Sequence, residues 1–392
     1  MIPYSTQTID GQDEEAIRDV LYSPFLTTGP TVTEFENAMC DYTHASYAVA
    51  VNSCTSALHL AMLALGVGKG DRVFVSAISF VASANCALYT GAEVDFVDVD
   101  PKSGNMDLDV LEQMLRQAKA EKKLPKAVVA VHLSGRPLDL ERLKMLKDEF
   151  HFGLIEDAAH ATGAVYFGQK VGCGLFSDVT VFSFHPVKII TTAEGGMCLT
   201  NNEELYTRIR RLSSHGIVHD RDALVRQDMP AFYYEQQDLG FNYRMNDIQA
   251  ALGISQLERI ENFLSLRRQA AIRYHKVFCD CENLGLPESD SDDSLSSWHL
   301  YQVAIPDGRR DEIYKAMRAK GIGVQVHYLP IYRHPYYQQI RKYEPLPGAE
   351  EFFKATLSLP LYPRLSSLNQ QFVSITLLSL LDRKESSCII SR

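Results

Sequence analysis

Short apolar runs alternate with amphipathic stretches along the first two hundred residues. The runs Tyr47–Val51, Asp71–Val75, Glu93–Val97, Ala127–His132, Gly153–Glu156, Val179–Ser183 and Gly196–Thr200 have the length and β-branched content of strands. Between them, apolar positions recur at helical spacing over Thr55–Leu65, Phe80–Tyr89 and Leu138–Glu149, and after them over Glu203–Ser214 and Asn246–Phe263. Ahead of the first strand, 12–22 (Ile17, Val20, Leu21) and 31–40 (Val32, Phe35, Met39) read as helices joined by the Thr27-Thr28-Gly29-Pro30 loop. This rhythm predicts an α/β fold, a mostly parallel sheet flanked by helices on both faces. Ligands in such sheets sit beyond the carboxyl ends of the strands.

The pattern changes near residue 265. A polar loop, Pro287–Ser297, precedes a predicted strand Tyr301–Ile305, helix Arg310–Lys320 and strand Val324–Tyr328, which suggests a smaller C-terminal α+β domain. The expected division is a large domain over 1–264, including the N-terminal segment, and a small one over 265–392. The length of 392 residues agrees with two domains at roughly 150 residues each.

The formal net charge of -10 gives no general attraction for nucleic acid or an anionic membrane, so an anionic ligand must be held by local groups. The N-terminus lacks a basic stretch followed by an apolar one, and no apolar run approaches ~20 residues, so the expectation is a cytoplasmic protein with no membrane span. Cysteines 40, 54, 86, 173, 198, 279, 281 and 388 form no CxxC pair, and Cys279-Asp280-Cys281 is too close for structural zinc. Reduced, scattered thiols and no metal site are expected; His132, His215 and His334 match no zinc spacing either.

Three of the strand ends carry chemistry. In Ser183-Phe184-His185-Pro186-Val187-Lys188, a lysine follows a strand among small and apolar residues, where desolvation would free its amine for a Schiff base. Most lysines are solvated surface groups, so Lys188 alone would mean little. In Leu154-Ile155-Glu156-Asp157-Ala158-Ala159-His160, an acid ends an apolar strand and small residues follow, leaving room for a flat ring paired with the carboxylate. Asp157 could equally cap a helix. In Asn52-Ser53-Cys54-Thr55-Ser56, hydroxyls open a helix whose free N–H groups suit a phosphate, though such runs are also ordinary N-caps.

Taken with Thr28-Gly29-Pro30, Phe35-Glu36, Glu194-Gly195-Gly196 and Gly240–Met245, these motifs resemble, from Tyr4 to about Arg383, the DegT/DnrJ/EryC1/StrS sugar aminotransferases. That family consists of fold-type-I enzymes dependent on pyridoxal 5′-phosphate. The resemblance implies that Lys188 is the Schiff-base lysine, that Asp157 pairs with the pyridinium and that His160 lies near the ring hydroxyl. It also implies that Phe80 stacks on the ring and that Thr55 and Ser183 bind phosphate. Asn242 would reach the phosphate of a neighbouring subunit, which makes the expected assembly a homodimer with shared active sites. Cys54 falls in the same cofactor shell where the family usually has Gly or Ala, and reads best as a snugly packed thiol.

Residues Gly321-Ile322, Gln325–Tyr328, Pro330–Tyr332, Tyr337–Gln339 and Ser297 with His299–Tyr301 resemble one branch of the family, that of pseudaminic acid biosynthesis. The branch implies amino transfer from L-glutamate to C4 of a UDP-linked 4-keto-6-deoxy-N-acetylhexosamine. Tyr4, His185, His327 and Tyr328 are the substrate-side candidates, although aromatic residues in a small domain are more often packing. Another UDP- or dTDP-linked 4-keto-6-deoxyhexose is the alternative substrate. A sugar dehydratase of the same fold would replace Lys188, typically by histidine, and a non-catalytic relative would lose Lys188 or Asp157.

Overall fold

The computed structural model describes residues 1–382; Cys388 and the end of the expected small domain lie outside them. Two helices, α1 (Gly11–Leu21) and α2 (Pro30–Thr43), lead into the sheet. Asp10 closes a capping box on α1, and Pro30 at the first turn of α2 supplies a preset φ and lacks a donor that would go unpaired there. The sheet elements follow in order: β1 (Tyr47–Val51), α3 (Cys54–Ala64), β2 (Arg72–Ser76), α4 (Ala82–Tyr89), β3 (Glu93–Val97), α5 (Leu108–Ala120), β4 (Ala127–Val131), α6 (Leu140–Phe150) and β5 (Gly153–Asp157). After the short β6 (Val165–Tyr166) and β7 (Gln169–Lys170) come β8 (Val179–Ser183), β9 (Gly196–Thr200) and α7 (Glu203–Ser213).

Seven strands form one sheet in the order β1-β9-β8-β5-β4-β2-β3. Pairings of β2 with β3 and β4, of β4 with β5 and of β5 with β8 are parallel; β9 runs antiparallel to β8 and β1. The sheet is therefore mostly parallel, as expected. Every residue of β4, AVVAV, is buried, the signature of a strand covered on both faces. Helix α3 is likewise almost entirely buried, and its sequence CTSALHLAMLA has no polar face to expose.

A hairpin, β10 (Ile217–Val218) with β11 (Glu235–Gln236), precedes α8 (Asp247–Glu258) and α9 (Ile260–Phe278). One helix was expected over Asn246–Phe263. The chain instead breaks at Arg259 (φ -108, ψ 7), and Asn246 starts α8 with a capping box. Gly253 brings α8 against α2: a Cβ there would lie 2.6 Å from the Phe35 ring. Gly253→Ala is expected to cost about 1–3 kcal/mol by overpacking, read as a lower denaturation midpoint.

The C-terminal part holds β12 (Ser294–Leu295), β13 (Tyr301–Ala304), α10 (Arg310–Ala319), α11 (Pro335–Ile340), α12 (Pro347–Ala355), β14 (Thr356–Leu359) and α13 (Ser367–Leu381). The expected strand Val324–Tyr328 does not form; β13 pairs with β14, and only Gln325 bridges to Ser358. Beyond that bridge the chain turns off the sheet, and the His327 carbonyl accepts from the Gln302 side chain instead of a strand neighbour. A separate apolar cluster built on α9, β13, α10, β14 and α13 fills this region, and Ile2 packs against it. The N-terminal segment thus leans on the C-terminal part: Gly323 N–H donates to the Ile2 carbonyl at 2.6 Å and Leu361 N–H to that of Tyr4 at 2.9 Å. Among the described residues no helix is long and apolar enough to cross a membrane, and no cluster of ligands could hold a metal ion.

Candidate active site

A cavity of about 440 Å³ opens where the carboxyl ends of β5 and β8, the N-terminus of α3 and the turn 327–328 converge. Eleven of the twelve residues singled out in the sequence line it: Lys188, Asp157, His160, Thr55, Cys54, Ser183, Phe80, His185, Tyr4, His327 and Tyr328. Asn242 does not. It is exposed on the segment after the hairpin, bridged to Ser214.

Asp157, the last residue of β5, is buried and held from two sides. Ser83 Oγ donates to Oδ2 at 2.6 Å, and the Ala159 N–H donates to Oδ1 at 3.1 Å. The second bond is the local turn contact that a capping acid would make; the first comes from α4 and fixes the carboxylate at the cavity wall. Ser79 Oγ lies 2.6 Å from Ser83 Oγ and extends the chain of hydroxyls. Neither serine was expected. Their spacing of four residues puts both on one face of the turn entering α4, a signal the sequence did contain.

Lys188 follows β8 in a tight loop, its N–H donating to the His185 carbonyl at 2.9 Å while Thr191 Oγ1 and Thr192 N–H close on the Phe184 carbonyl. Its amine has no hydrogen-bond partner among the described residues and points into the cavity. Burial pushes it down to about 8, against the opposing pull of Cys54 and Asp157. A lysine amine is a nucleophile only when neutral. The rate at which cofactor-free protein takes up an aldehyde cofactor is therefore expected to rise with pH and level off through an apparent pKa near 8, measured by stopped-flow absorbance. A midpoint above 10 would mean that the amine stands in water.

At α3, Ser53 caps the helix by accepting from the Ser56 N–H at 3.1 Å, which leaves the N–H groups of Cys54 and Thr55 without partners inside the helix. The helix dipole and these donors form an anion seat. Gly196 makes the approach possible, since a Cβ there would lie 2.5 Å from the Cys54 nitrogen. Cys54 is half-buried on the cavity wall, not the snugly packed thiol expected, and burial followed by Asp157 pushes its thiol well above the usual range. Among the described residues, Ser183 Oγ meets only the His185 N–H, at 3.5 Å, and Lys188 is the only lysine or arginine lining this cavity.

His160 is buried, and burial followed by Lys188 and His327 holds its imidazole well below the usual range. Phe80 precedes α4 instead of starting it, and the residue is 58% exposed at the cavity, unlike the packed aromatics of the core. Tyr4 and His327 face each other with ring centroids 5.4 Å apart, and His327 Nδ1 lies 2.8 Å from Ser358 Oγ. Burial and then Lys188 push His327 down to about 3, so it is neutral at the cavity edge. His185 is exposed at the rim.

A transaminase of Campylobacter jejuni, named for UDP-4-amino-4,6-dideoxy-N-acetyl-beta-L-altrosamine, is 38% identical over 98% of both chains. The spore coat polysaccharide biosynthesis protein SpsC of Bacillus subtilis is 37% identical over 93% of both. The structure of Helicobacter pylori PseC, an aminotransferase involved in pseudaminic acid biosynthesis, superposes with a TM-score of 0.89 at 32% identity, covering 97% of this chain and 99% of that one. A sugar aminotransferase of Streptococcus pneumoniae, Spr1654, in its PLP form gives 0.87 at 29% identity, covering 97% and 98%. Residues 7–377 match the DegT/DnrJ/EryC1/StrS aminotransferase family along nearly the whole chain, and the protein belongs to that family.

Proposed function

We propose that the protein uses pyridoxal 5′-phosphate to move an amino group from L-glutamate to C4 of a UDP-linked 4-keto-6-deoxy-N-acetylhexosamine. The product would be UDP-4-amino-4,6-dideoxy-N-acetyl-β-L-altrosamine, a step of pseudaminic acid biosynthesis. The observation that carries the substrate is the end-to-end 38% identity with the Campylobacter transaminase. The cavity fits the cofactor by its donor set: an unpaired, partly desolvated amine, a fixed carboxylate and a helix N-terminus with free N–H groups. When bound, the cofactor supplies an aldehyde that accepts amines and a protonated ring that draws electrons from the adjacent C–H bond.

The chain's own residues do the rest. Lys188 would hold the cofactor and, once released, its Nζ takes the proton from Cα of glutamate and delivers one to C4 of the sugar. Asp157 keeps a proton on the ring nitrogen. Thr55, Ser183 and the first N–H groups of α3 would hold the phosphate, Phe80 and His160 would flank the ring, and Tyr4, His185, His327 and Tyr328 would face the sugar nucleotide. Two half-reactions at one site give ping-pong kinetics.

The reading includes a homodimer with shared sites and a cytoplasmic place of work. Exposed Val225, Phe232, Tyr234 and Leu239 around the hairpin, next to Asn242, support a second copy covering this face. Seven unpaired thiols among the described residues support the location. SpsC, at nearly the same identity, favours a second reading in which the chemistry is the same and the sugar differs.

The test is amino transfer from glutamate to UDP-linked 4-keto-6-deoxy-N-acetylhexosamines of L-arabino and D-xylo configuration, with product stereochemistry by NMR. Preference for the L-arabino substrate is expected. Preference for the D-xylo epimer would overturn the pathway while keeping the reaction class.

A further inference from the structure

Four side chains join the two walls of the cavity in a closed ring. Ser134 lies in the turn after β4, and its N–H donates to His160 Nδ1 at 3.2 Å. Its hydroxyl donates to Gln302 Oε1. Gln302 is buried on β13 and turns Nε2 to the His327 carbonyl at 2.8 Å and to Thr356 Oγ1 at 3.2 Å. The next residue, Tyr328, returns to His160, its Oη 3.2 Å from Nε2.

Donors and acceptors in this ring have one consistent assignment. A carbonyl only accepts, so the Gln302 nitrogen faces His327 and its oxygen faces Ser134. A backbone N–H only donates, so His160 Nδ1 is unprotonated and Nε2 carries the hydrogen of the neutral imidazole. Nε2–H therefore donates to Tyr328 Oη. The Tyr328 hydroxyl hydrogen is then left over, and no described residue accepts it, although Tyr328 lines the cavity with Lys188 and Tyr4.

We propose that Gln302 is a positioning residue for amino transfer: through Ser134 and the His327 carbonyl it sets Tyr328 so that its hydroxyl hydrogen is presented to the carbonyl oxygen of the keto substrate. This rests on the amino-transfer reading above. Gln302 touches neither cofactor nor substrate and acts through Tyr328. A sugar without the carbonyl, or a site without Tyr328, gains nothing from it.

Gln302→Met keeps the length of the side chain and removes all three of its bonds. It is expected to lower kcat/KM for the keto-sugar roughly tenfold, about the value of one net hydrogen bond to a reacting group. On a Tyr328→Phe background the same change should cost under about twofold, because the two act as one unit. Gln302→Glu still accepts from Ser134 but donates to the His327 carbonyl only when protonated. Its activity relative to wild type should rise as the pH falls towards about 5, whereas the Gln302→Met ratio stays flat. Hydrogen exchange on the cofactor-free protein adds a readout apart from turnover: Gln302→Met should speed exchange at 133–136, although Ser134 and Gln302 are 168 residues apart in sequence. Should Gln302→Met not fold, Ser134→Ala opens the ring from the other side with the same expectations. Equal losses with and without the Tyr328 hydroxyl, or unchanged exchange at 133–136, overturns the proposal. Failure of the wild type to aminate any keto-sugar overturns the substrate reading instead, and the exchange result still decides the ring.

Discussion

Lys188→Ala is expected to lower steady-state amino transfer from glutamate by at least about 10⁴-fold, because one substitution removes both the covalent anchor and the proton carrier. The loss should fall on kcat, and it should appear in each half-reaction followed alone by single-turnover absorbance. Protein loaded with pyridoxamine phosphate should still bind the sugar nucleotide, since the phosphate seat at α3 and the Asp157 carboxylate are untouched. Misfolding is a poor explanation for such a loss on linkage grounds. Burial lowers the folded pKa of Lys188 from 10.5 to about 8, so its charge costs stability at every pH below about 8. That cost is relieved as the pH rises from about 8 towards the unfolded value. At pH 7 the alanine variant should therefore unfold no more easily than the wild type. Sustained turnover in it would remove Lys188 from the chemistry.

The sheet was legible because its strands are short, apolar and separated by amphipathic helices, and the seven expected strands all form. The departures have local causes. Helix α5 was not among the expected elements although Asp107 caps it and Leu108, Leu111, Leu115 and Ala118 lie at helical spacing. Strand β14 and helix α13 were not expected either. TLSL is four residues long, and α13 buries apolar residues on several sides, so neither shows a clean period. The false strand at Val324–Tyr328 has the alternation of a strand, but its residues leave the sheet to form the cavity wall.

The candidate site was legible in the same degree as its chemistry is local. Lys188, Asp157 and the α3 hydroxyls each sit at a strand or helix end, where a short motif reports the position. Ser134 and Gln302 act across the fold, 168 residues apart, and a single sequence carries no trace of that pair; the spacing of Ser79 and Ser83 is legible, but the reach of Ser83 over 74 residues to Asp157 is not. Cys54 and Tyr328 show the converse. Both line the cavity, while the upward shift of the thiol and the direction of the hydroxyl follow only from the groups that surround them.

Asp157→Asn separates the chemical role of the acid from its structural one. The amide is isosteric: its oxygen can still accept from the Ala159 N–H, and its nitrogen can donate to Ser83 Oγ, which turns its own hydrogen to Ser79. The turn after β5 should survive and stability should change little. What the amide cannot do is hold a proton on a ring nitrogen by charge, so the ring loses most of its capacity to draw electrons. The expected result is a fall in kcat of roughly 10²–10³-fold, the size seen when a group aimed at developing charge is removed. KM should move far less, and both half-reactions should slow, because the proton transfer in each depends on the same electron-accepting ring. If the residue only capped the turn, Asp157→Asn would remain within about fivefold of wild type, and the carboxylate against the ring would have to be sought elsewhere in the cavity. Among the described residues, Glu194 is the one other acid lining it.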